Sequence, residues 1–125
     1  MREVLFRGKD KDGKRHYGRL AYKFVDIDMA EVAVDVIQDE NHATWQVDPD
    51  TASQYTGGCD KHGNKIFEGD ILFDEDWEEP FVVHFEDGGF IVRNYDDTYW
   101  LIDVAVMSRV IGNRWDNPEL LPEDE

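Results

Sequence analysis

Residues 81–93 read FVVHFEDGGFIVR, and this stretch decides the fold class. Phe81, Val83 and Phe85 share one face of an extended chain, His84 sits on the other, and Phe90 and Val92 return after Asp87-Gly88-Gly89. Side chains alternate across a strand with period two, and an Asp-Gly pair supplies the positive φ values that a twisted hairpin loop demands. The segment therefore reads as an antiparallel hairpin. The same alternation recurs outward from it. On the C-terminal side, Tyr99–Val106 sets Trp100, Ile102, Val104 and Val106 against Leu101, Asp103 and Ala105, which predicts a strand buried on one side, and Val110 and Ile111 begin a last strand. On the N-terminal side, Lys65–Phe67 and Ile71–Phe73 are short strands parted by a bend at Glu68-Gly69-Asp70, after a turn at Asp60–Asn64 around Gly63.

Further from the hairpin, Thr44–Val47 is a short strand stopped by Asp48-Pro49-Asp50, because proline fixes φ and removes a ladder donor. Met29–Ile37 places Val32, Val34 and Val36 on one face, and β-branched residues favour strand over helix. Val4–Lys9 and Arg15–Tyr22 flank Asp12-Gly13 and form a first hairpin with a two-residue turn. Asn117-Pro118 fits a helix start, with Asn117 as the cap, and Pro122 limits that helix to about one turn.

The expected fold is mainly β: a strongly curved antiparallel sheet or (pseudo)barrel with a short C-terminal helical turn. With 125 residues, one domain over 1–125 is the expected organisation, since either half alone buries little apolar surface. A two-lobe division, if present, falls near 48–54, and the acidic tail 122–125 is expected to fray.

Charge narrows the function classes. The formal net charge is −16, yet residues 1–25 are net +5, so the remaining hundred carry −21. Glu68, Asp70, Asp74, Glu75, Asp76, Glu78 and Glu79 follow one another without an intervening base, and must mostly face water. Such a field repels phosphate backbones and attracts basic partners, so nucleic acid is disfavoured as a direct ligand. The single cysteine cannot form an internal disulfide, and residues 1–25 hold no apolar run fit to cross a membrane, which makes cytoplasm the expected compartment.

No catalytic set stands out, and neither metal nor cofactor is expected. Cys59 and His62 have ligand-like spacing, but two ligands do not make a zinc site, and His16, His42 and His84 are scattered. Cys59 has no identifiable activating base, so a free thiol without a role is the expectation. Asp10 and Asp12 beside Gly13 resemble a calcium loop only superficially, since Lys14 and Ala21 stand where ligands are needed. The carboxylates of 74–79 would need exact convergence to hold a cation or hydrolyse a bond, and a solvated face is the simpler reading. Trp77 is different. It lies among Glu75, Asp76, Glu78 and Glu79, and an aromatic anchor inside an acidic rim suits a basic partner; the alternative is that it folds back over the core.

Three ordered blocks then carry a resemblance over almost the whole chain. The opening MREVLFRGK of residues 1–9 is followed by Asp12-Gly13 and Tyr17-Gly18; the second block is Gln54-Tyr55-Thr56-Gly57, Asp60-Lys61, Gly63 and Lys65-Ile66-Phe67-Glu68-Gly69-Asp70-Ile71; the third is Val110-Ile111-Gly112-Asn113 with Asn117-Pro118-Glu119-Leu120-Leu121. The chain resembles the YopX family of phage and prophage proteins. It departs where the family has leucine and lysine after the first motif glycine, since Gly58 and Cys59 stand there. The resemblance implies a phage-encoded, mostly β protein of unknown function acting in a bacterial host's cytoplasm, and it implies no reaction. The shared residues read as architectural: Gly57, Gly63 and Gly69 suit turns, Asp60 and Asp70 can tie turn amides, and Ile66, Phe67 and Ile71 supply core surface.

The leading expectation is a non-enzymatic protein-interaction or assembly module that meets a host or phage protein with a basic surface, or a second copy of itself through the basic first hairpin. The runner-up is an acidic nucleic-acid mimic that occupies a host DNA-binding protein. A small metal-dependent hydrolase comes third.

Overall fold

A computed structural model describes residues 4–122 of the chain. The chain forms two compact units, 1–54 and 55–125. The protein is mainly β, with its strands in antiparallel sheets and one short α-helix in the C-terminal part. The expected frayed tail lies outside the described residues except for Pro122.

The first unit holds β1 (Phe6–Lys9), β2 (Arg15–Ile27), β3 (Ala30–Gln38) and β4 (Thr44–Gln46), and takes in the start of β5 (Ser53–Cys59). β1 pairs with β2, Phe6 opposite Gly18, and on its other side with the first residues of β5, Arg7 opposite Ser53. The β1–β2 connection is not the predicted two-residue turn. Lys9 faces Arg15, leaving a five-residue loop closed by the Asp10 carboxylate, which accepts the amides of Asp12 and Lys14. Asp10 Oδ2 also meets His16 Nε2 at 2.9 Å, and this bond, outweighing desolvation, holds the Asp10 carboxyl below its usual range. His16 stacks on Trp45 at 4.3 Å. The small core of the unit holds Val36, Ile37 and Val47, together with Arg7 bonded from Nε to Ser53 Oγ at 3.0 Å.

β2 runs five residues beyond the predicted end at Tyr22 and makes a long hairpin with β3, in register from Arg19↔Gln38 to Ile27↔Ala30. β1 pairs only as far as Gly18, and β4 only from Val36 to Gln38, so the distal part of this hairpin is a two-stranded ribbon. Tyr22, Phe24 and Val32 are exposed there, and Tyr22 packs edge-on against Phe24. Its tip, Asp28-Met29, turns without glycine at φ 49° and 68°.

In the second unit, the remainder of β5 pairs with β6 (Lys65–Phe67), Tyr55 opposite Phe67 and Cys59 opposite Lys65. A five-stranded sheet follows in the order β10-β9-β8-β7-β11, built from β7 (Asp70–Phe73), β8 (Phe81–Glu86), β9 (Gly89–Arg93), β10 (Thr98–Trp100) and β11 (Arg109–Asn113). The hairpin that decided the fold is present: Glu86 faces Gly89 across a two-residue loop, with Asp87 at φ 52° and Gly88 at φ 81°.

The strand predicted over 99–106 ends after Trp100. The chain then forms α1 (Leu101–Val104) and a 3-10 turn (Ala105–Met107). Leu101, Val104 and Ala105 are buried while Trp100, Ile102 and Val106 are exposed, so the i, i+3, i+4 spacing of a helix decided the segment and not the alternation.

Of the two expected forms, curved sheet or barrel, the sheets do not take the closed one. Leu101, Val104 and Ala105 pack with Ile66, Leu72, Phe81, Val83 and Val92, so helical residues cover the sheet face, and the terminal strands β10 and β11 do not pair with each other. The predicted C-terminal turn is present as a 3-10 turn (Pro118–Leu120). Asn117 does not cap it with its side chain; its Oδ1 accepts the Asn113 amide instead.

Candidate functional site

The residues of the shared block assemble one structural joint in the second unit. Asp60 is buried, and its carboxylate accepts the amides of His62 and Asn64 within its own turn and of Val110 from β11, each at 2.9 Å. Burial opposes the charge on Asp60, but these N–H donors and the Asn64 side chain outweigh it and hold the carboxyl below its usual value. Asp70 is also buried and accepts the Phe67 amide at 2.8 Å, so the bend is tied across Glu68-Gly69.

Gly69, at φ 88°, donates to Val83 and accepts from Arg114, and the Trp115 ring lies where a Cβ would be. Gly57 and Gly63 also have positive φ, at 89° and 82°. Thr56 Oγ1 donates to the Ile66 carbonyl at 2.8 Å, and Tyr55, Ile66, Phe67 and Ile71 are core residues. Asn113 Oδ1 takes the amides of Trp115 and Asp116, while Gly112 leaves room for the Asn117 side chain. All of this holds the chain in place, and none of these residues lines the two hollows described next.

The open chemistry lies elsewhere in the same unit. A cleft of about 410 Å³ is lined by Asp76, Trp77, Glu78 and Glu79 from the β7–β8 connection, Phe81 of β8, Asn94, Asp96 and Asp97 from the β9–β10 connection, Tyr99 of β10, and Val104 and Met107 beyond it. Phe81 is its buried floor. Trp77 meets Phe81 edge-on at 5.0 Å and Tyr99 meets it at 5.7 Å, so two further rings stand against the floor. Trp77 is half-buried and packs against the core, so it is a wall of the cleft and not a free-standing anchor.

The loops present the carboxylates for local reasons. Trp77 N donates to the Asp74 carbonyl at 2.9 Å in a turn whose Asp76, Glu78 and Glu79 line the cleft together with Trp77. Asn94 Oδ1 accepts the amides of Asp96 and Asp97 at 3.0 and 2.9 Å, fixing the second loop by its side chain. Glu79 Oε2 is buried and has no hydrogen-bond partner among the described residues. Glu75 does not join the cleft. It is bound by Arg109 at 3.0 Å and Lys61 at 3.7 Å, and hydrogen bonding, first to its own backbone amide and then to Arg109, keeps its carboxyl below the usual range.

Asp76, Trp77, Glu78 and Glu79 are thus brought together, whereas Asn94, Asp96, Asp97 and Tyr99 were not anticipated as their neighbours. Sequence holds one signal for them, the Asn94–Asp97 loop between strands, but pairing of β9 with β10 is what brings it to Trp77.

A second hollow, of about 440 Å³, lies among Glu86, Asp87, Ile91, Arg93, Thr98, Tyr99, Trp100 and Asp103. Of its three acids, Glu86 is paired within the hollow, since Arg93 Nη1 donates to it at 2.9 Å and holds its carboxyl low. Cys59 is exposed, with its Sγ 3.8 Å from the Tyr55 hydroxyl. Among the described residues no three His, Cys, Asp or Glu side chains are grouped to hold a metal ion, and no helix is long and apolar enough to cross a membrane.

A solved structure with similar architecture is protein EF1440 from Enterococcus faecalis, at 19% identity and a TM-score of 0.57, with 97% of this chain and 99% of that one covered. At that identity the likeness concerns the fold. No curated protein matches the chain. The family model described as YopX protein matches residues 5–122, nearly the whole chain, and the chain belongs to the YopX family.

Proposed function

We propose that this protein is a non-enzymatic interaction module, encoded by a phage or prophage, that engages a basic protein in the cytoplasm of the bacterial host. One observation carries the reading: the cleft of the second unit combines three aromatic side chains with five carboxylates and has no Lys, Arg or His among its lining residues. A field of this kind steers a positively charged partner toward the cleft, and aromatic rings give that partner apolar surface to bury. The mimic and hydrolase readings draw on the same carboxylates but give the rings no purpose, which is why they rank lower. A second copy of the chain is one candidate partner, because Arg19 and Lys23 lie on the exposed part of β2.

The experiment is affinity capture from host lysate with the wild-type protein and with an Asp76→Asn, Glu78→Gln, Glu79→Gln variant. Glu75 is left unchanged because Arg109 and Lys61 use it internally. Basic proteins retained by the wild type and lost by the variant support the proposal. Identical captured sets, or a set without basic proteins, count against it. Light scattering across a salt series decides the self-association form, which a monomer at every ionic strength eliminates.

A further inference from the structure

We infer that the cleft between Trp77 and Tyr99 receives an arginine side chain from a basic polypeptide; this deepens the interaction-module reading and rests on it. The first reason is an unmet hydrogen bond. Glu79 lines the cleft, and its Oε2 is buried with no hydrogen-bond partner among the described residues; a carboxylate oxygen removed from water without a donor is costly, so a small turn of the side chain toward an incoming N–H group gains a charged hydrogen bond. The neighbouring hollow displays the filled equivalent: the Arg93 guanidinium gives Nη1 and Nη2 to the two carboxylate oxygens of Glu86.

The second reason is shape. A guanidinium is planar and can lie against an aromatic face while its edge donates to a carboxylate, whereas an ammonium is a compact, strongly hydrated point charge. Trp77, Phe81 and Tyr99 supply the rings, and five carboxylates surround them without a competing internal base. Met107, partly exposed at the rim, offers an adaptable apolar surface for the aliphatic stem. At about 410 Å³ the cleft exceeds one side chain and leaves room for flanking backbone. The third reason concerns the competing cation: among the described residues no three of these carboxylates group to hold a metal ion, so a cation with several separated donors fits better than a point ion.

The test is titration of isotope-labelled protein, followed by NMR, with a short peptide carrying one arginine, its lysine version and its uncharged citrulline version. The arginine peptide should shift the Trp77 indole, the Asn94 side-chain amide and the backbone of 94–99. Affinity should fall about tenfold for citrulline and for Glu79→Gln, as expected for losing a charged hydrogen bond. Trp77→Phe, which keeps core packing, should weaken binding less, and the unperturbed remainder of each spectrum verifies folding. Equal affinity for lysine and arginine, shifts outside the cleft, or indifference to Glu79→Gln overturns the arginine assignment while leaving a basic partner in place. Absence of binding by every basic peptide at millimolar concentration overturns both readings.

Discussion

Replacing Gly69 with alanine isolates the geometry on which the second unit depends. Gly69 has φ 88°, and a Cβ built there lies 2.5 Å from two ring carbons of Trp115. The left-handed backbone costs an L-residue about 1–2 kcal/mol, and forcing a methyl into packed surroundings adds about 1–3 kcal/mol. Gly63→Ala separates the two contributions, because Gly63 has a similar φ of 82° and nothing within 4 Å of the added atom. It should cost only the backbone share. Urea denaturation followed by tryptophan fluorescence reads the difference well, since Trp77, Trp100 and Trp115 all lie in the second unit. With a slope of about 1–3 kcal/mol per molar urea, Gly69→Ala should lower the midpoint on the order of 1–2 M, and Gly63→Ala by less than half of that. In a Trp115→Ala background the excess of Gly69→Ala over Gly63→Ala should vanish, a coupling of about 1–3 kcal/mol. Equal midpoints for the two glycine variants in the wild-type background would refute the reasoning.

Three further outcomes follow from other parts of the molecule. The Asp60 carboxyl is held low in the folded state, so between its folded and unfolded pKa values the unfolded chain binds more protons and stability rises with pH. That stability is fully present above the unfolded value and is lost as pH falls through the folded one; denaturation midpoints from about pH 2 to pH 5 should slope less in Asp60→Asn than in wild type. At the tip of the β2–β3 hairpin, Met29 has φ 68°; glycine there relieves about 1–2 kcal/mol of left-handed backbone at an entropic cost of about 0.5–1 kcal/mol, so Met29→Gly should stabilise the protein by about 0.5–1 kcal/mol, seen as a higher melting temperature, and an unchanged or lower one would contradict the turn assignment. Cys59 is exposed, and its thiol has only a long contact with Tyr55 among the described residues, so Cys59→Ser should shift stability by less than about 0.5 kcal/mol in the same denaturation assay.

How far the sequence revealed the fold depended on what each signal measures. The Phe81–Arg93 hairpin was legible because alternation and an Asp-Gly loop agree and lie next to each other. The segment after Tyr99 misled because Trp100, Ile102 and Val106 are apolar but exposed, and period-two counting treats every apolar residue as buried. Between curved sheet and barrel the alternation could not decide; the sheets stay open, and in the second unit helical residues cover the sheet face where a further strand was expected. At the β1–β2 loop, Asp12-Gly13 suggested a two-residue turn, but Asp10, two positions earlier, organises a wider one through its side chain.

The candidate site was half legible. The run from Asp76 to Glu79 announces itself by charge around Trp77, while Asn94, Asp96, Asp97 and Tyr99 reach the same cleft only through the pairing of β8, β9 and β10. Nor could spacing alone assign Glu75 to Arg109 and Lys61, which lie 34 and 14 positions away in the chain.

Hydrogen–deuterium exchange of the protein with and without an arginine-rich peptide tests the central claim most directly. Amides in 76–81 and 94–99 should slow on binding, with the effect weakening as salt is raised. Slowing confined to 19–36, or absent altogether, would contradict the assignment of the binding face to the second unit.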